Sequence, residues 1–237
     1  MAGFNSIKEY VDAELDGKSR IYSWRKSPTQ ATTAGLWFDM SMSPGNPVPQ
    51  YYAASPMAAI AMRQSTDGGF FHGANTGTTQ YLKSVISMSN SANGLPMPMI
   101  LCDYLMFYPF VDEGTTDEQF LTNSVTLPRY TDGKGVQVMA INVAARTGGQ
   151  SFYFTYTNQD GVSGRTSKTV VQNAATAIGT IVTSAKATLN AGGPFIGLQS
   201  GDTGVRSIES VTMLGADVGL FTLVLVKPLI TSQILEQ

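Results

Sequence analysis

A chain of 237 residues with a formal net charge of −2 can bury a sizeable core but has no basic stripe to meet a phosphate backbone, so nucleic acid is not expected as a direct partner. Charged residues are only 14% of the chain, well below the usual quarter, a surface better suited to packing against other protein than to free solution. The single cysteine excludes an intrachain disulfide or a multi-cysteine zinc site, and the N-terminal segment reads as neither a signal peptide nor a membrane span, so folding is expected in the cytoplasm where the chain is made.

Phe4, Ile7, Val11 and Leu15 recur at helical spacing, Ser6 and Glu9 match an S-x-x-E capping box, and Gly17 stands where a helix would stop. They predict an amphipathic helix over 6–16 within an N-terminal arm, residues 1–20. A helix this short is marginal alone, so its apolar stripe needs a partner, and another subunit is the favoured one. The stretch SRIYSWRKSPTQ then reads as a connector. Beyond it, turn-forming runs such as SPGNPVPQ, NSANGLP, YTDGKG and TNQDGVSG leave room mainly for short extended segments. The expected fold is mainly β, a β-sandwich or jelly-roll-like domain over residues 21–237.

Aromatic residues crowd the first half of that domain: Trp24, Trp37, Phe38, Tyr51, Tyr52, Phe70, Phe71, Tyr81, Tyr104, Phe107, Tyr108 and Phe110. On loops braced by Pro or Gly they could anchor a partner or form a sugar platform, although closing the ends of a sandwich is the commoner use of any one ring. The only histidine, His72, lies in the Gly-rich stretch TDGGFFHGANTG. No H-E-x-x-H, G-x-S-x-G or Walker sequence accompanies it, so packing or hydrogen bonding is favoured over catalysis. Cys102, in the apolar run MPMILCDYLMFYPF, reads as a buried thiol rather than a nucleophile. Next come Asp112, Glu113, Asp117 and Glu118, which offer hard oxygen ligands but lack the EF-hand spacing, so a solvated loop is the preferred reading. No catalytic residue, metal site or cofactor is expected.

The clearest strands are 136–145, 151–157 and 219–228, rich in β-branched and aromatic residues. In the second, Phe152, Phe154 and Tyr156 share one face, NQDG at 158–161 makes a turn, and a partner strand is expected around 165–172. The segment 174–189 is ambiguous between helix and strand, with strand slightly preferred.

The blocks GLWFDMSMSPGNPVPQYY (35–52), GGFFHG (68–73), LPRYTDGKGVQ (127–137), PFIGLQSGDTGVRSIESVT (194–212) and LVLVKPL (223–229) together resemble a family of virion structural proteins from tailed bacteriophages. The resemblance implies a capsid-associated decoration or cement component, located in the virion, whose partners are the major capsid protein or other virion proteins and further copies of itself. In LPRYTDGKGVQ, Asp132, Gly133 and Gly135 supply turn chemistry; in SGDTGVRSIESV, Asp202 is expected to accept from nearby backbone amides, with Arg206 opening a strand. Arg129 and Arg206 are placed to bridge carboxylates of a neighbouring subunit or of their own chain. With Phe4, Ile7, Val11 and Leu15 they make the candidate interface. A tail or receptor-binding protein that recognises host glycan is the alternative expectation, and a hydrolase the more distant one.

Overall fold

The computed structural model describes residues 4–28, 35–52, 57–63, 65–70, 81–90, 95–183 and 193–236. Among the described residues one α-helix, α1 (Ile7–Leu15), precedes twelve strands, and a single 3-10 turn, Met40–Met42, lies between the first two of them. These are β1 (Arg25–Lys26), β2 (Gly45–Asn46), β3 (Ile60–Ala61), β4 (Ser87–Ser89), β5 (Met97–Asp112), β6 (Gln119–Phe120), β7 (Gln137–Asn142), β8 (Ser151–Asn158), β9 (Arg165–Thr166), β10 (Val170–Val171), β11 (Val205–Met213) and β12 (Leu220–Glu236). The protein is mainly β and sandwich-like. One sheet runs β3-β5-β12-β4, with β7 also on β12; the other runs β10-β8-β11-β6, with β9 also on β8; β1 and β2 form a separate ribbon. Pairing is antiparallel throughout except between β4 and β12.

Strand β8 shows how the sequence writes one sheet. Its inward residues Phe152, Phe154 and Tyr156 are fully buried, while Ser151, Tyr153, Thr155 and Thr157 on the other face are only half-buried. They meet Leu105, Tyr108, Val111, Leu223 and Leu225 of the other sheet in one core, with the Phe152 and Phe221 ring centroids 4.8 Å apart. Each such ring, fully buried, contributes about 1.5–3 kcal/mol by transfer from water.

Strands β5 and β12 do not alternate, because their sheet is covered on both faces. Phe221, Leu223 and Leu225 face the β8 sheet, whereas Val224 and Val226 turn the other way, to a second cluster with Tyr52, Met62, Phe107, Met139, Ile141 and Ile181. A bulge lies between them: Pro109 and Phe110 together oppose Thr222 alone. Pro109 has no N–H to give the ladder, and Phe110 takes a φ of +41°, so the extra residue sits where pairing is already interrupted. The hydroxyl of Thr222 donates to the Tyr108 carbonyl at 2.8 Å there.

The remaining expectations differ in detail. The strand expected at 219–228 continues to Glu236, and the strand expected at 136–145 stops at Asn142. The turn at 158–161 forms, with Gly161 N–H donating to Asn158 O, and the partner of β8 is split into β9 and β10. No strand forms over 174–183, where Thr180 and Ile181 make only isolated bridges; 184–189 lie outside the described residues. Gly179 is the reason, since it turns the chain at φ +91° with the Phe38 ring so close that a Cβ would lie 2.7 Å from it.

Candidate interaction surface

Helix α1 forms for the local reasons its sequence states. Ser6 Oγ accepts from Glu9 N–H at 3.2 Å, Glu9 Oε2 accepts from Asn5 N–H at 2.7 Å, one residue before the N-cap, and Gly17 ends the helix at φ +67°. Lys8 and Asp12 add an exposed i,i+4 pair. No residue of α1 is buried: Ile7 is 83% and Leu15 81% exposed, and Phe4 and Val11 are also exposed. The apolar stripe thus has no cover in its own chain among the described residues.

What ties α1 down is superficial. Phe4 lies against the Tyr81 ring at 5.8 Å, and Lys83 stands 3.2 Å from Glu14 and over the Tyr10 ring. Exposed pairs of this kind hold weakly, because water and salt screen them and ordering two long side chains costs entropy. They place α1 beside the segment that leads into β4, which pairs with the far end of β12. That region is apolar and open as well, since Ile86, Met88, Leu229 and Leu235 are all exposed. Exposed apolar residues thus occur on the N-terminal helix, at β4 and in the C-terminal half of β12.

The two arginines of the candidate interface are engaged inside the chain. Arg129 grips Asp103 with both branches, Nε to Oδ2 at 2.7 Å and Nη2 to Oδ1 at 2.5 Å, and also donates to the Tyr104 carbonyl. It pins the 127–133 loop to β5 just beyond β3. Arg206 donates to the carbonyls of Gln159 and Asp132 and so clasps two turns at once. Between those turns Gly204 approaches so closely that a Cβ would lie 1.9 Å from the Gly133 carbonyl oxygen. The LPRYTDGKG and SGDTGVRS blocks, about seventy residues apart in sequence, are therefore packed on each other.

Asp202 corrects its expected role. It accepts from side chains, Tyr156 Oη at 2.6 Å, Asn158 Nδ2 at 2.8 Å and Arg165 Nε at 2.9 Å, while the Thr203 and Gly204 amides donate to Gln159 Oε1. A loop carboxylate can be satisfied by either donor type, and here three side chains of the β8–β9 hairpin arrive first. Burial opposes the charge on Asp202, but the bonds from Arg165, Tyr156 and Asn158 together outweigh it and hold the carboxyl down at about 2.

Two buried polar centres were not legible in the sequence. Asp39 is buried and accepts from Tyr52 Oη and Tyr104 Oη, each at 2.8 Å, and from Ser41 N–H and Oγ. Burial first, then the Asp39 charge, pushes both phenols well up, so they remain donors. The second overturns the solvated reading for Glu113 alone, since Asp112, Asp117 and Glu118 are exposed. Glu113 is fully buried with the Arg146 side chain, because the chain turns inward directly after β5. Its neighbours keep polar duties near the surface: Asp112 caps the Gly114 N–H and Glu118 accepts from Ser210.

Of the aromatic residues, Tyr52, Phe107 and Tyr108 close the core, whereas Tyr51, Phe70 and Tyr81 are exposed. Phe71 and His72 lie outside the described residues. Cys102 is half-buried, and its thiol is pushed up to about 12 by burial and by Asp39 and Asp103, which keeps it protonated at neutral pH. Among the described residues no group of three or more His, Cys, Asp or Glu is placed to hold a metal ion, and no helix is long and apolar enough to cross a membrane.

The arrangement defines a braced β scaffold with exposed apolar residues on α1, at β4 and at the end of β12. Comparison with protein-family models, with curated proteins and with solved structures finds no match to this chain.

Proposed function

We propose that the chain is a structural protein of a tailed-bacteriophage virion, a decoration or cement component that binds the head shell in many copies and reinforces it. The observation that carries this reading is the uncovered stripe of α1. A helix of nine residues whose apolar stripe is exposed among the described residues gains stability when something apolar covers it, and a shell of repeated subunits offers such cover many times over. The low charge of the whole chain and the exposed apolar residues of β4 and β12 support the same mode, in which apolar contact is combined with hydrogen bonds from abundant small polar side chains. The resemblance of the ordered sequence blocks to virion proteins supplies the identity of the shell.

The mechanism is area burial rather than turnover. Loops braced by Arg129, Arg206 and Asp202 keep the scaffold rigid, so little order has to be created on docking. Co-sedimentation with purified capsids, together with light scattering over a concentration range, tests the proposal. Saturable binding to shells, or self-association, is the expected result; a strict monomer without affinity for capsids overturns it.

A further inference from the structure

The Glu113–Arg146 pair closes one end of the sandwich, and its geometry is incomplete. Arg146 Nε and Nη2 both reach Glu113 Oε2 at 3.4 Å, long for charge-assisted bonds. Nε is 3.2 Å from Oε1 but outside hydrogen-bonding direction, so Glu113 Oε1 has no hydrogen-bond partner, and neither has Arg146 Nη1. Gln172, fully buried at the end of β10 in the opposite sheet, has both its amide nitrogen and its amide oxygen without a partner. Asp217, just before β12, encloses an Oδ2 in the same condition, and its amide donates to Glu113 O at 2.7 Å. Burial raises the Glu113 carboxyl, against the pull of Arg146 and the nearby Gln172 amide. The Gln172 amide thus lies beside Glu113, near enough to favour the charged carboxylate but in no well-directed hydrogen bond to it.

Five buried polar atoms from both sheets, all on Glu113 or on groups close enough to act on its charge, therefore have hydrogen-bonding capacity unused, a condition that is costly if nothing meets it. The ligand must offer donors and acceptors together, since Arg146 Nη1 and Gln172 Nε2 donate while Glu113 Oε1, Asp217 Oδ2 and Gln172 Oε1 accept. Two carboxylates and one guanidinium leave the site formally negative, which disfavours an anion, and the guanidinium in its midst disfavours a bare cation. A neutral molecule of the smallest size fits both conditions.

We infer that this site binds ordered internal water, which bridges Arg146 and Gln172 to the open oxygens of Glu113 and Asp217 and so joins the ends of the two sheets. One water makes at most about four hydrogen bonds, so satisfying all five atoms takes at least two. The site is independent of any shell contact and belongs to the folded chain itself.

A high-resolution crystal structure of the full chain at neutral pH, paired with nuclear Overhauser measurements from long-lived water to the Arg146 guanidinium protons, tests the inference. The expected result is density within hydrogen-bond distance of Arg146 Nη1 and of a Gln172 amide atom, with a water cross-peak that Gln172→Leu abolishes or weakens several-fold. Direct pairing of Gln172 with Arg146 and Glu113 in a dry site overturns it. So does a bound ion whose oxygen contacts are at metal-ligand distances, about 2.0–2.6 Å.

Discussion

Phe152 and Phe221 face each other across the two sheets with their surfaces wholly enclosed, whereas Ile7 and Leu15, no less apolar, stand on a helix with about four-fifths of their surface open. The first pair sits in a core to which both sheets contribute; the second belongs to an element whose contacts, among them a ring contact, an exposed ion pair and a cation over a ring, lie at the surface. Hydrophobicity alone does not say where a residue will go. What differs is whether the chain supplies a complementary face, and for α1 it does not among the described residues. The sandwich is thus closed on itself, whereas the apolar residues of the terminal helix stay open; the proposed function gives them a partner outside the chain.

That contrast can be broken most forcefully inside the sandwich. Arg146→Met strands the Glu113 carboxylate in a buried site, and the expected loss is about 3–5 kcal/mol of unfolding free energy in chemical denaturation. Replacing both partners, Arg146→Met with Glu113→Leu, is expected to recover most of it, because the uncompensated charge is then gone. A single variant that loses less than about 1 kcal/mol would show the pair to be solvated.

A smaller effect is expected from acid. Asp202 has its carboxyl held at about 2 in the folded chain, below its ordinary value of 3.8, so the unfolded chain takes up the proton first as pH falls. The stability it contributes is complete above about pH 4 and is lost between about pH 4 and pH 2. With solvent screening at the partly exposed Arg165, that loss is about 1–2 kcal/mol. Asp202→Asn should flatten this part of the stability–pH curve, and an unchanged slope in the variant would assign the acid sensitivity to other carboxylates.

Smaller still is the expected effect of Ile7→Ser and Leu15→Ser. In the isolated protein they should shift unfolding by less than about 0.5 kcal/mol, since exposed positions away from packing rarely do more. A larger loss by thermal melting would mean that the stripe is covered within the chain.

Legibility in the sequence follows the same division. Features set by neighbours along the chain could be read: the Ser6–Glu9 cap, the Gly17 stop, the alternation of β8 and the turn at 158–161 all depend on residues a few positions apart. The sequence of strand β5 does not announce a strand, since burial on both faces removes the alternation that would mark it. The Glu113–Arg146 pair and the Asp39 centre were hidden for another reason. Their members lie 33 residues apart in the first case and up to 65 in the second, and no spacing rule links them. An acid followed by turn residues looks solvated until the fold shows the chain turning inward. Arg129 and Arg206 were legible as loop arginines, but only the packing of one turn on another reveals carboxylate and carbonyl partners within the chain.

The most direct test of the division between scaffold and docking surface is deletion of residues 1–17, followed by circular dichroism melts and co-sedimentation with purified capsids. The helix buries no residue, so the truncated chain should melt within about 2 °C of the full-length protein, a change of well under 1 kcal/mol for a chain of this size, while its binding to capsids falls at least tenfold. A marked drop in melting temperature with capsid binding unchanged would contradict the account and make α1 part of the scaffold it is here set apart from.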